Sequence, residues 1–164
     1  MNWDAVIAVA EILGAMAVVA SLVYLAAQVK QSTKLGRADM VHATSDSWGG
    51  YTRMIATDGE LADIYLRSIK GAQLTPVETL RMQFVIETYM ALLEDSDHQY
   101  KSGLYFDEED GIDFVEYISP TFKELFQSPV GRHWWATIAE NSTTPSLYAK
   151  MNRIMLKWDT EEEV

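Results

Sequence analysis

ILGAMAVVASLVYLAA, residues 12–27, runs sixteen positions without a charge. It is too long for the buried face of an ordinary amphipathic helix, and it lies inside a longer apolar segment, residues 5–29. The polar interruptions of that segment are Glu11, Ser21 and Gln28, with Tyr24 amphipathic. As a helix rising ~1.5 Å per residue it is roughly 37 Å long, enough to cross a hydrocarbon core of about 30 Å with some tilt. Trp3 at one end and Tyr24 near the other are residue types that favour the membrane interface. A cleavable leader needs a positive start, whereas MNWDAVIAVAE carries two acids and no Lys or Arg. The segment therefore reads as a transmembrane helix. The nearby cations, Lys30, Lys34 and Arg37, all follow it, so the positive-inside rule puts Met1 outside and the bulk of the chain in the cytoplasm.

Within this helix Glu11 is the residue that needs an explanation. At 100° per residue, Glu11, Gly14, Ser21 and Gln28 fall within an arc of about 100°, with Ala17 just beyond it. Ile7, Leu13, Met16, Val23 and Ala27 occupy the opposite side. Small residues let helix backbones approach, and polar side chains bond across such a contact. An intramembrane carboxyl faces protein or water far more often than lipid. The stripe Glu11, Gly14, Ala17, Ser21 and Gln28 is thus expected to pack against copies of itself or a partner helix. Two other readings stand beside this one. Glu11 lies only about 12 Å along the helix from Trp3, within reach of the outer headgroups. Alternatively, a ring of Glu11 carboxylates would line a homo-oligomeric ion channel.

The remainder of the chain is acidic. Residues 1–37 balance at +1 and the rest at −12, within a net charge of −11. Such a domain repels nucleic acid and anionic headgroups, which excludes nucleic acid as an expected partner. Only the basic stretch 30–37 favours a negative membrane surface. There is no cysteine, which excludes disulfide frameworks and zinc–thiolate sites. No segment alternates with period two, so the expected fold is all-α. The single transmembrane helix and its basic stretch (1–37) precede a compact multi-helix cytosolic domain (38–158) and an acidic tail (159–164).

All four prolines follow Ser or Thr, at Thr75-Pro76, Ser119-Pro120, Ser128-Pro129 and Thr144-Pro145. A hydroxyl N-cap followed by Pro at the first helical position is a start signal, and Thr75 with Glu78 makes a capping box. The expected helices are 38–57, 59–70, 76–102, 108–118, 120–127, 129–141 and 145–157, with Gly71 and Gly103 as stops. Val77, Leu80, Phe84, Tyr89, Leu92 and Leu93 suggest the inner face of 76–102, and Val41, Thr44, Trp48, Tyr51 and Ile55 a weaker stripe interrupted by Gly49-Gly50.

Signals for chemistry are sparse. EDSDH (residues 94–98) places Glu94 and Asp95 at helical spacing from His98, the spacing used in di-iron bundles. Those bundles need the motif twice with two further carboxylates, and here it occurs once, so a solvated helix end explains it better. A metal-dependent helical-bundle enzyme using Glu94, Asp95 and His98 is the third functional reading. FDEEDGIDFVEY (106–117) is no EF-hand, because Phe106 and Tyr117 stand where its first and last carboxylates belong; Asp107 reads as an N-cap instead. There is no phosphate loop, nucleophile elbow or cysteine nucleophile. The expectation is therefore a non-enzyme with no cofactor and no metal. Adjacent Trp134 and Trp135 point about 100° apart, which makes them candidate interface residues if only one enters the core fully; core packing of both is the favoured reading.

AEILGAMAVVASLVYLAAQVKQST (10–33), ELADIYLRSIKG (60–71), LTPVETLRMQFVIETYMALLED (74–95), QYKSGL (99–104) and SPVGRHWW (128–135) together resemble a group of uncharacterised bacterial proteins with one N-terminal transmembrane helix and a helical cytosolic domain. Glu11, Gly14, Trp134 and Trp135 match that pattern. Asp97 and His98 replace its usual aromatics, and Pro120 interrupts a region that is usually one longer helix. The resemblance implies the topology and a bacterial inner membrane, and it implies no activity. The expected role is a self-associating membrane scaffold or accessory subunit whose partners are the bilayer and either copies of itself or another membrane protein.

Overall fold

The computed structural model describes residues 3–101 and 113–162, and among them there is no β-strand. The order is α1 (Trp3–Thr57), α2 (Gly59–Ile69), α3 (Pro76–Lys101), α4 (Phe114–Ile118), a 3-10 turn (Ser119–Phe122), α5 (Lys123–Gln127), α6 (Pro129–Thr137), α7 (Ala139–Ser142) and α8 (Pro145–Glu162). The protein is all-α, with a long N-terminal helix followed by a compact helical region. By backbone contacts it divides into two units, Met1–Val41 and His42–Val164.

The expected apolar segment and the expected helix 38–57 both fall within α1, because nothing between them breaks a helix. No proline intervenes, Gly36 costs only about 1 kcal/mol, and the Thr33 hydroxyl donates back to the Val29 carbonyl at 2.9 Å. The second unit begins its packing on the last turns of α1. Thr44 and Tyr51 are buried, with Trp48 and Ile55 partly so, which is the stripe read from the sequence; Val41 is exposed.

Local chemistry sets most helix ends. Asp58 caps α2 by accepting from the Leu61 N–H. Gly71, at φ +73°, ends it, with Gly71 N–H on Ser68 and Ala72 N–H on Arg67 forming a Schellman motif. Thr75 and Glu78 exchange both capping-box bonds, at 2.7 and 3.3 Å. Ser128 caps α6 through Gly131 N–H, with Pro129 at the first position.

Ser119-Pro120 behaves differently. Ser119 is already helical (φ −58°, ψ −34°), and the chain runs through it as a 3-10 turn, so Pro120 bends a continuing helical path instead of opening a new one. Ile138, at φ −120°, divides the expected 129–141 into α6 and α7. α8 runs on to Glu162, past the expected end at 157. The acids of the tail find cations there: Asp159 pairs with Arg132, and Glu161 with Lys123 at 3.7 Å. Asp107 and Gly103 lie outside the described residues.

The core of the second unit is aromatic. Trp48, Tyr51, Tyr89, Phe122 and Phe126 form a continuous cluster, with Tyr89 and Phe122 ring centroids 3.9 Å apart. Met82, Val85, Ile86, Met90 and Leu93 line α3 beneath it. The expected inner face of α3 is corrected in its first half: Val77, Leu80 and Phe84 are 68, 51 and 57% exposed. The helix is apolar on two sides, and its packing partners select the side holding Met82, Ile86, Tyr89 and Leu93.

Candidate functional site

The residues singled out in the first unit are all exposed, as is the apolar surface around them. α1 is long and apolar enough to cross a membrane, and none of its most apolar window is buried. The polar members of the stripe differ in how they are satisfied. The Ser21 hydroxyl donates to the Ala17 carbonyl at 2.8 Å, and the Gln28 amide donates to the Tyr24 hydroxyl at 3.0 Å. Both bonds lie within the helix. Gly14 has no other atom within 4 Å of where a Cβ would stand, so its surface is open. Glu11 makes no hydrogen bond or ion pair with any described residue, and it is the one polar group of the stripe whose needs the helix leaves unmet.

In the second unit, the acids of EDSDH all have structural work. Glu94 accepts the backbone N–H of Thr144 at 3.1 Å, fixing the start of α8, and Asp95 accepts from Gln99 at 2.6 Å. Asp97 is buried and receives Lys101 at 2.5 Å and Lys150 at 3.1 Å. Among the described residues, no three His, Cys, Asp or Glu side chains are grouped to hold a metal ion.

Lys150 also reaches Asp113, at 2.8 Å, so one ammonium joins α3, the start of α4 and α8. Burial opposes ionisation at both Asp113 and Lys150. At Asp113 the bond from Lys150 and the backbone N–H groups of Glu116 and Val115 outweigh it and hold the carboxyl below its ordinary range; at Lys150 the two carboxylates outweigh it and push the ammonium upward. The pairing joins residues 37 and 53 positions apart, and no local pattern announces it.

Both tryptophan rings belong to the core, as the favoured sequence reading has it. Trp134 is fully buried, and Trp135 is 8% exposed, stacked on Tyr148 with centroids 5.1 Å apart and donating to Asn152 at 3.1 Å. What the sequence did not suggest is the reason for the glycine in SPVGRHWW. A Cβ on Gly131 would stand 2.8 Å from the Phe126 Cα and closer still to the Leu125 carbonyl oxygen, so α5 and α6 meet through a position that only glycine fits. A buried hydroxyl or indole without a partner among the described residues recurs at Tyr51, Ser68, Tyr89, Ser119 and Trp134. Burial pushes the two tyrosines upward, which keeps them neutral.

Comparison of the chain with protein-family models, curated proteins and solved structures finds no match.

Proposed function

We propose that the chain is a self-associating single-pass protein of a bacterial inner membrane, a non-enzymatic scaffold or accessory subunit. On this reading Met1 is outside, the acidic domain is cytoplasmic, and the helices pack through Glu11, Gly14, Ala17, Ser21 and Gln28. The observation that carries the reading is Glu11: an unpartnered carboxyl on an exposed apolar helix, with the neighbouring polar groups already satisfied. A carboxyl in the hydrocarbon is costly, up to about 3 kcal/mol at the bilayer centre, and an open, small face at Gly14 and Ala17 is where a second helix can approach closely enough to offset that cost. Lys30, Lys34 and Arg37 support the orientation.

The test is the native mass of the full-length protein in nanodiscs, wild type against Glu11→Leu. The expected result is a closed oligomer for the wild type and altered assembly for the variant, with unchanged circular dichroism. Identical assembly of the two would sink the stripe. The same carboxyl supports a second reading, a Glu11-ringed pore. That reading requires a planar-bilayer conductance whose cation selectivity falls in Glu11→Gln; selectivity that survives the change rules it out.

A further inference from the structure

The second unit is strongly acidic, and most of its cations are neutralised: Arg67 by Asp63 and Glu78, Arg81 by Asp58 and Glu60, Lys101 and Lys150 by Asp97, Lys123 by Glu161, Arg132 by Asp159. Arg153 and Lys157 are different. They stand one turn apart on α8, exposed, with no ion pair to any described residue, although like charges at that spacing repel. The nearest candidate on their own helix, Glu161, is taken by Lys123 at 3.7 Å.

Both cations line one cavity of about 320 Å³, closed by Glu116 of α4, Ser119 and Pro120 of the 3-10 turn, and Ile154 and Trp158 of α8. Ser119 is 1% exposed, and its hydroxyl has no partner. Ser119 thus lines the cavity with its hydroxyl enclosed, in the same state as Ser68, Tyr51 and Tyr89 among the described residues.

We propose that this cavity binds a small organic monoanion with an apolar body. The charge of its walls sets the valence. Two cations against the Glu116 carboxylate leave one net positive charge, which suits a carboxylate or a phosphodiester better than a dianion. Arg153 supplies a planar fork for two anion oxygens and Lys157 a point charge. Pro120, Ile154 and Trp158 give the apolar body a surface to cover. The volume lies at the lower end of small-molecule sites, which limits the ligand to roughly a single ring or a short chain.

The experiment is a titration of the full-length protein in maltoside micelles with 4-fluorobenzoate, followed by fluorine NMR. Saturable binding is expected, weakened at least about tenfold in Arg153→Gln and Lys157→Gln and tightened in Glu116→Gln. The two cations are exposed, so their removal leaves the fold intact, as circular dichroism will verify. Inorganic phosphate is expected to compete poorly, because it lacks an apolar body. Competition by monomeric dibutyrylphosphatidylglycerol identifies the natural monoanion as a lipid headgroup, and its failure to compete identifies a soluble metabolite. Absence of saturable binding, or equal affinity in wild type, Arg153→Gln and Lys157→Gln, overturns the proposal.

Discussion

The two units use the same apolar residue types in opposite ways. In the first, Leu22, Val23 and Met16 are 59, 65 and 63% exposed; in the second, Leu93, Met82 and Trp134 are wholly buried. The second unit builds its own apolar interior, so its core side chains have fixed neighbours, and Gly71 and Gly131 have fixed tasks. The first holds its shape through hydrogen bonds within its own helix and leaves its apolar side chains exposed. An exposed apolar surface of this length is a statement about solvent, and on the proposed reading that solvent is lipid.

The sharpest way to break the contrast is to truncate one side chain in each unit. Trp134→Ala is expected to lower the unfolding free energy of the second unit by about 3–5 kcal/mol. Leu22→Ala is expected to leave that transition where it is. Urea unfolding of the full chain in detergent, followed by near-ultraviolet circular dichroism, measures both; a comparable loss from Leu22→Ala would dissolve the distinction.

Glycines offer a second comparison. Gly131→Ala forces a methyl group against the α5 backbone and is expected to cost about 1–3 kcal/mol. Gly14→Ala meets no atom of this chain, so it spares the unfolding transition and registers only in assembly. If Gly131→Ala unfolds at the wild-type urea concentration, the close approach of α5 and α6 has been misread.

Charge gives the smallest and most condition-dependent effect, and it belongs to the second unit alone. Arg67 and the Thr75 bonds hold Glu78 at about 2 against an ordinary 4.5, and Asp113 and Asp159 are also held low. Their contribution is complete above the unfolded carboxylate range and is lost as pH falls from about 4.5 towards 2. Lys150 is raised above its ordinary 10.5, so its contribution is complete below that value and is lost as pH rises through its higher folded value. The thermal midpoint is therefore expected to be flat across neutral pH and to fall at both ends. Lys150→Met lowers stability by about 2 kcal/mol at pH 7 and weakens the alkaline fall. A midpoint unaffected by Lys150→Met would show that Lys101 alone suffices for Asp97.

The sequence was most informative where the determining chemistry is local. The capping box at Thr75 and Glu78, the Ser128-Pro129 start and the Gly71 stop each involve residues within a turn of one another, and each forms as read. The failures share a different cause. Val77, Leu80 and Phe84 mark an apolar face as periodic as the buried one, and only the helices packed against α3 choose between them. Ser119-Pro120 has the spelling of a helix start, but α4 already carries the chain through Ser119 in helical geometry. The contacts of Lys150 and Gly131 depend on elements far away along the chain or folded back on it. The stripe around Glu11 was legible as a pattern, and its one unmet group emerged only when Ser21 and Gln28 were seen bonded within their own helix.

Five tryptophans are divided unevenly between the two units. Trp3 is alone in the first and 64% exposed, while Trp48, Trp134, Trp135 and Trp158 pack in or against the core of the second. The protein thus carries a built-in pair of optical reporters. On the proposed reading, a quencher attached to lipid chains reaches the emission of Trp3 and leaves the four core rings bright, whereas denaturant red-shifts those four. Insertion and folding can be followed separately in one cuvette, with no label attached to the chain.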